Sequence, residues 1–165
     1  MNPKLLAAAI TAAVASGCLY GFAGGGLPSH IRTIAILPLD NQTAEPALTQ
    51  ESTNAIRDAL EGRLGLRVAG EETADAVVRG AVLSYEPDIP LSFRAGAAGN
   101  VAVTRRRVQI TLRIEIYDRV EDRMLWQRSS LVVDGEYAPP EESRGRELAL
   151  EKLVNDIVDG AQSQW

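Results

Sequence analysis

The chain has 165 residues, 17 Lys+Arg against 22 Asp+Glu, and a formal net charge of -5. That length suits one domain, the 45% hydrophobic and 24% charged content exclude global disorder, and the acidic balance makes a poor general binder of nucleic acid. One Cys excludes an intramolecular disulfide and a multi-thiolate zinc site, and one His excludes a multi-histidine metal site and leaves little for acid–base chemistry near neutral pH.

The first 17 residues read as an export signal. Lys4 gives a short positive start, Leu5 to Val14 is an Ala-rich apolar run broken only by Thr11, and Ala15, Ser16 and Gly17 are small. The run is too short for a membrane-crossing helix, which needs about 20 apolar residues. An ordinary signal peptide or a buried first helix are the plain readings. Small residues leading directly into Cys18, the only Cys, resemble a bacterial lipobox, with a departure at Ala15 where Leu is usual. That resemblance implies that Cys18 is lipidated and opens the mature chain. Leu19, in place of Asp, implies by the same resemblance a transfer to the outer membrane. Gly21 to Gly26 cannot pack a core and reads as a tether. A phosphate-cradling loop does not fit these glycines, because no strand precedes them and no Lys-Ser/Thr follows. The expected division is signal 1–17, lipidated Cys and tether 18–30, and one domain 31–165.

From residue 31 the pattern is regular. Ile31 to Leu37 is β-branched and apolar, and Pro38 ends it, which predicts a buried strand. Asp40 to Thr43 predicts a turn. Its Asn41-Gln42-Thr43 sequon is empty behind a bacterial export signal. Pro46 opens a predicted helix whose apolar stripe is Leu48, Ser52, Ala55, Ile56, Ala59, Leu60 and Leu64, and Gly62 and Gly65 end it. Leu66 to Ala69 is a short apolar piece, followed by a solvated loop. Ala76 to Tyr85 predicts a strand. Val78, Gly80 and Val82 share one face, Val77, Arg79, Ala81, Leu83 and Tyr85 the other, and Gly80 would let a helix approach closely. Pro87 and Pro90 end that strand, and residues 91–100 predict a loop or hairpin tip.

The clearest periodicity follows. Val108, Ile110, Leu112, Ile114 and Ile116 alternate with Gln109, Thr111, Arg113, Glu115 and Tyr117, the signature of a strand with one buried and one wet face. After a turn at Asp118 to Asp122, Arg123 to Val133 returns as a strand. Pro139 and Pro140 break the chain, Glu141 and Glu142 suit a helix N-terminus, and Leu150, Leu153, Val154, Ile157, Val158 and Ala161 form the last helix's stripe. The order βαβββα predicts an α+β fold, with two helices on one face of a mixed, mostly antiparallel sheet of about four strands. The strands at 31 and 76, joined through a helix, are candidates for a parallel pair.

No catalytic set emerges, and the chain is expected not to be an enzyme and to need no cofactor. His30, just before the first strand, reads as a solvated residue. The acid pairs Glu71/Glu72 and Glu141/Glu142 sit in polar or helix-start settings, where solvation explains them better than a glycosidase pair. The distinctive charges are Arg105, Arg106, Arg107 and Arg113. Arg105, Arg107 and Arg113 point to the wet side of their strand, Arg106 falls on the apolar side, and Arg79 and Arg128 would join the wet face if register permits. Such a face suits an anionic ligand, because guanidinium forks bind phosphate bidentately. Pairing of these arginines with Glu115 and other acids on neighbouring strands is the alternative.

The ordered set Cys18-Leu19-Tyr20-Gly21-Phe22, a Gly-rich stretch, Leu27 to Ile36, Leu39-Asp40-Asn41-Gln42-Thr43-Ala44-Glu45-Pro46 with its helix, Ala74-Asp75-Ala76-Val77, and Leu125-Trp126 resembles the LptE family. The resemblance covers essentially the whole mature chain, and its specificity lies in the order of the segments. It implies two helices on one face of a mixed sheet. It implies a lipoprotein that sits as a plug in the outer-membrane β-barrel LptD, helps that barrel assemble, and contacts lipopolysaccharide. In that setting Arg105, Arg107 and Arg113 are candidates to meet lipid phosphates, although the match there is only to a basic strand. The segment Ile34 to Pro38 with Asn41 and Thr43 also occurs in CsgG-like secretion lipoproteins and in lipoprotein activators of peptidoglycan synthases. The long membrane hairpins of the first and the long linker of the second are not evident here.

Overall fold

A computed structural model describes residues 27–95 and 101–163. The order is β1 (Thr33–Ile36), β2 (Asp40–Asn41), α1 (Ala47–Leu64), β3 (Arg67–Val68), β4 (Ala76–Ala95), β5 (Val101–Asp118), β6 (Arg123–Tyr137) and α2 (Glu142–Ser163). The strands form one six-stranded mixed sheet in the order β3-β1-β4-β5-β6, with β2 also paired to β4. The α+β class and the placement of the helices agree with the sequence. The two additional strands are two-residue pieces: Asp40–Asn41 was expected as a turn and Arg67–Val68 lies within the apolar piece 66–69.

β1 runs parallel to β3 and to β4, with Ile34 opposite both Val68 and Ala76. A strand flanked on both sides loses its solvent edge, and Ile34, Ala35 and Ile36 are all buried. β4, β5 and β6 form an antiparallel meander. Val108, Ile110, Leu112, Ile114 and Ile116 are all fully buried, as the alternation requires. Each such side chain contributes roughly 1.5–3 kcal/mol by leaving water. Both helices add Leu48, Ile56, Leu60, Ala149, Leu153 and Ile157 to the same apolar cluster. The small cluster on the opposite face, Ala35, Ala74 and Val77 with Leu37 and Ala69, contains no helix residue. The helices therefore cover one face only.

α1 begins after Pro46 without a side-chain cap of its own, although Glu45 Oε1 accepts from the Ala47 amide at 3.3 Å. It ends at Gly65, whose left-handed φ of 65° lets its amide return to Leu60 O. The preceding segment is shaped by Asn41. Its Oδ1 accepts from Thr43 N and Oγ1, and its Nδ2 donates to Glu45 O. α2 approaches the sheet closely through glycines. A Cβ on Gly135 would lie 2.0 Å from Gly145 O, and one on Gly160 would lie 2.1 Å from Trp126 Nε1.

Three expectations need correction. β4 does not stop at Pro87 and Pro90 but continues to Ala95. β1 and β2 pair with β4 only as far as Val82, so beyond it one edge of β4 needs no amide donors. There prolines are tolerated, and register shifts at Glu86/Ile89 and Pro90/Ser92 absorb them. Gly80 admits not a helix but the neighbouring strand, since its Cβ would lie 2.1 Å from Arg113 O. Tyr85 changes face: the register shift between Val82 and Ser84 places it opposite Ile110, against the main core.

Candidate functional site

Two surfaces of the sheet lack helix cover. One is the face opposite the helices. The other is the far part of the β4–β5 pair, residues 91–95 and 101–105, which runs beyond the end of β6 at Tyr137, opposite Arg106. This two-stranded ribbon leaves Phe93 62% and Val101 66% exposed. Phe93 pairs with Val103 and Ala95 with Val101, so their side chains share one face. At its base Tyr137 Oη donates to Pro87 O at 2.8 Å. Tyr85 Oη donates to Glu142 Oε1 at 2.5 Å, and Arg146 bridges Glu142 to Glu51 of α1. Burial is the main reason the Tyr85 hydroxyl is pushed up to about 12, outweighing the help of Arg146. The ribbon thus leaves a firmly pinned body.

The basic strand is largely neutralised. Arg105 pairs with Glu136 at 3.0 Å, and Arg107 Nε lies 3.7 Å from Asp134, which also holds Lys152 at 3.0 Å. Arg106 pairs with Asp88 at 2.6 Å. Arg79 lies 3.6 Å from Glu115 and 5.5 Å from the centre of the Tyr117 ring. Arg128 is off this face, 5.3 Å over the Trp126 ring. Arg113 is exposed and lines a shallow concavity of about 160 Å³ with Asp40, Arg79, Gly80 and Glu115. Among the described residues it has no ion-pair partner. Arg105 and Arg113 stand eight residues apart, about 26 Å along the strand. The fold therefore brings Arg105 and Arg107 together at the ribbon base and leaves Arg113 separate.

His30 is not merely solvated. Its Nε2 lies 2.7 Å from the fully buried Asp118 carboxylate and its Nδ1 lies 3.7 Å from Glu121. Burial pushes the Asp118 carboxyl up, but the amides of Glu121 and Val120 and the His30 ring outweigh it and hold it below the ordinary range. His30, Asp118 and Glu121 have the residue types of a metal cluster. Arg123, 2.7 Å from Glu121 and 4.0 Å from Asp118, already supplies the positive charge there. Sequence reasoning missed this cluster because His30 stands 88 residues before Asp118. It missed the exposed Phe93 because residues 91–100 read as a loop or hairpin tip after Pro87 and Pro90, whereas the strand continues through them to Ala95.

Residues 31–163 match the LptE family model, described as Lipopolysaccharide-assembly. No relative is found among curated proteins. Among solved structures, the hypothetical protein CT253 from Chlamydia trachomatis is 14% identical with a TM-score of 0.53, over 80% of this chain and 96% of that one. The PelC dodecamer subunit from Paraburkholderia phytofirmans is 18% identical with a TM-score of 0.50, over 79% and 91%. Protein XCC0632 from Xanthomonas campestris is 14% identical with a TM-score of 0.50, over 78% and 81%. At these identities the likeness concerns the fold alone.

Proposed function

This chain belongs to the LptE family, a family of non-enzymatic lipoproteins, and on that premise we propose that it is an outer-membrane lipoprotein that plugs and helps assemble an LptD-type β-barrel for lipopolysaccharide transport. The observation that carries this reading is the one-sided cover of the sheet. A bare face of alternating Arg, Glu, Gln and Tyr is chemically suited to the polar lumen of a large barrel. The ribbon beyond it exposes Phe93 and Val101, which an enclosing partner would cover.

Lipidation of Cys18 would hold the plug at the periplasmic side of the outer membrane. Each buried acyl CH₂ contributes about 0.8 kcal/mol, so two or three chains give nearly permanent attachment. Lipopolysaccharide contact belongs, in this reading, to Arg105, Arg107 and Arg113. Among the described residues Arg113 has no ion-pair partner to give up. Arg105 would exchange Glu136 for a lipid phosphate, a modest cost for an exposed pair, and Arg107 would exchange Asp134 from a half-buried pair.

The deciding experiment is affinity purification of the native lipoprotein from detergent-solubilised outer membrane, with mass spectrometry of what accompanies it. A stoichiometric large β-barrel is the expected result. A peptidoglycan synthase, or no barrel, sinks the plug reading. Cys18→Ala is expected to leave the domain folded and abolish membrane attachment. Reversing Arg105, Arg107 and Arg113 to Glu is expected to weaken lipopolysaccharide binding, and unchanged binding would return those residues to ordinary sheet pairing.

A further inference from the structure

The N-terminal segment enters the fold at a defined pole. Ile34 of β1 pairs with Ala76, the first residue of β4, and Ala76 pairs with Asp118, the last residue of β5. The ribbon lies at the other end of the same two strands. β4 has 20 residues, which places the two poles about 60 Å apart.

At the first pole three polar groups hold residues 27–33. His30 Nε2 meets Asp118 Oδ2 at 2.7 Å, with Glu121 at 3.7 Å on the other ring nitrogen. Asp75 Oδ2 accepts from Arg32 N at 3.0 Å and from Thr33 N and Oγ1 at 2.8 Å each. Thr33 Oγ1 in turn accepts from Asp75 N at 3.0 Å. Leu27 packs on the main core, and Ile31 N donates to Pro28 O. A fully buried carboxylate is costly unless every partner is present. Asp118 meets that cost with two turn amides, with Arg123 at 4.0 Å and with His30 at 2.7 Å, and of these partners only His30 comes from the N-terminal segment.

We propose that His30, Asp75 and Asp118 form a clamp that makes the chain leave the domain at the pole opposite the ribbon, so that an anchor at Cys18 tethers the molecule by that pole. This rests on the anchored-lipoprotein reading above. Leu27 stands nine positions after Cys18, a reach of at most about 32 Å. That is half the distance to the far end of the ribbon, so with the clamp closed the anchor cannot lie against the ribbon's end. Opening the clamp would release residues 27–32, add about 20 Å of reach, and remove the fixed exit direction.

The test uses the full acylated chain in phosphatidylethanolamine–phosphatidylglycerol vesicles carrying a headgroup-spin-labelled lipid. A fluorophore is placed at Val120→Cys on the β5–β6 turn, or at Arg94→Cys on the ribbon. Quenching at 120 is expected to exceed that at 94 by at least threefold, and the His30→Ala/Asp75→Ala variant is expected to lose most of that contrast. Equal quenching at the two positions in the unaltered background, or an unchanged contrast in the variant, overturns the clamp. Hydrogen exchange on the full chain in detergent provides the second measurement. Asp75→Ala and His30→Ala are each expected to speed exchange at Ile31, Arg32 and Thr33 at least tenfold, while His30→Gln, which keeps a donor for Asp118, restores protection. Unchanged exchange refutes the clamp. Failure of the unaltered protein to float with vesicles would refute the anchor instead, and the exchange result would still decide the clamp.

Discussion

Strands β4 and β5 cross two environments. In the body, residues 76–85 and 108–118, they lie under the helices, and every inward residue of β5 is fully buried. In the ribbon, residues 91–95 and 101–105, the same two strands pair with each other alone, and Phe93 and Val101 face solvent. The backbone hydrogen bonding is of the same kind in both. What differs is the third layer, so a strand ladder by itself accounts for neither stability nor the choice of buried residues. An isolated two-stranded ribbon is at best marginally stable in water, and this one is supported by its pinned base and, in the proposed complex, by a partner.

The comparison yields graded expectations. The largest effect belongs to the body. Ile114→Ala removes a fully buried side chain between β4 and β6, and a loss of about 4 kcal/mol is expected in urea unfolding. Gly135→Ala should follow at about 3 kcal/mol, because its new Cβ meets helix backbone at 2.0 and 2.8 Å and α2 has to lift. A loss below about 1 kcal/mol would mean that α2 rides more loosely on β6 than the structure depicts.

The pole opposite the ribbon is expected to be acid-sensitive. The Arg32 amide, then the Thr33 hydroxyl and amide, hold the Asp75 carboxyl below its ordinary value. A depressed carboxyl contributes stability above its unfolded pKa of about 3.9, and that contribution disappears as the pH falls through the folded value. The stability difference between the native protein and Asp75→Asn should therefore be full near neutrality and shrink below about pH 4. A difference that stays constant down to pH 3 would show that the charge of Asp75 contributes nothing. The smallest stability effect should come from the ribbon. Phe93→Ala is expected to cost under about 0.5 kcal/mol, as for other surface changes, yet to reduce recovery of the β-barrel partner. A large stability loss there would show that the ribbon carries a core of its own.

Much of the body was legible because burial imposes period. Alternation over 108–116 and the helical stripes of α1 and α2 each require a single apolar side, and each was found with the expected residues inward. Three features were not legible, for separate reasons. The continuation of β4 through Pro87 and Pro90 depends on the absence of a neighbour beyond Val82, a property of the sheet rather than of the segment. The pairing of Arg105 with Glu136 and of Arg107 with Asp134 depends on cross-strand register, which was the open alternative at that stage. The role of His30 depends on residue 118, brought near only by the sheet's closure.

The sequence by itself therefore determined the element types, the buried faces, the α+β class and the family resemblance, because local periodicity and ordered segments are properties of the chain. Only the tertiary structure decided where the helices stop covering the strands, which arginines are neutralised, and that His30 and Asp75 hold the N-terminal segment at one pole. Those outcomes depend on contacts between residues far apart in the chain, where neither side carries a local signal of its partner.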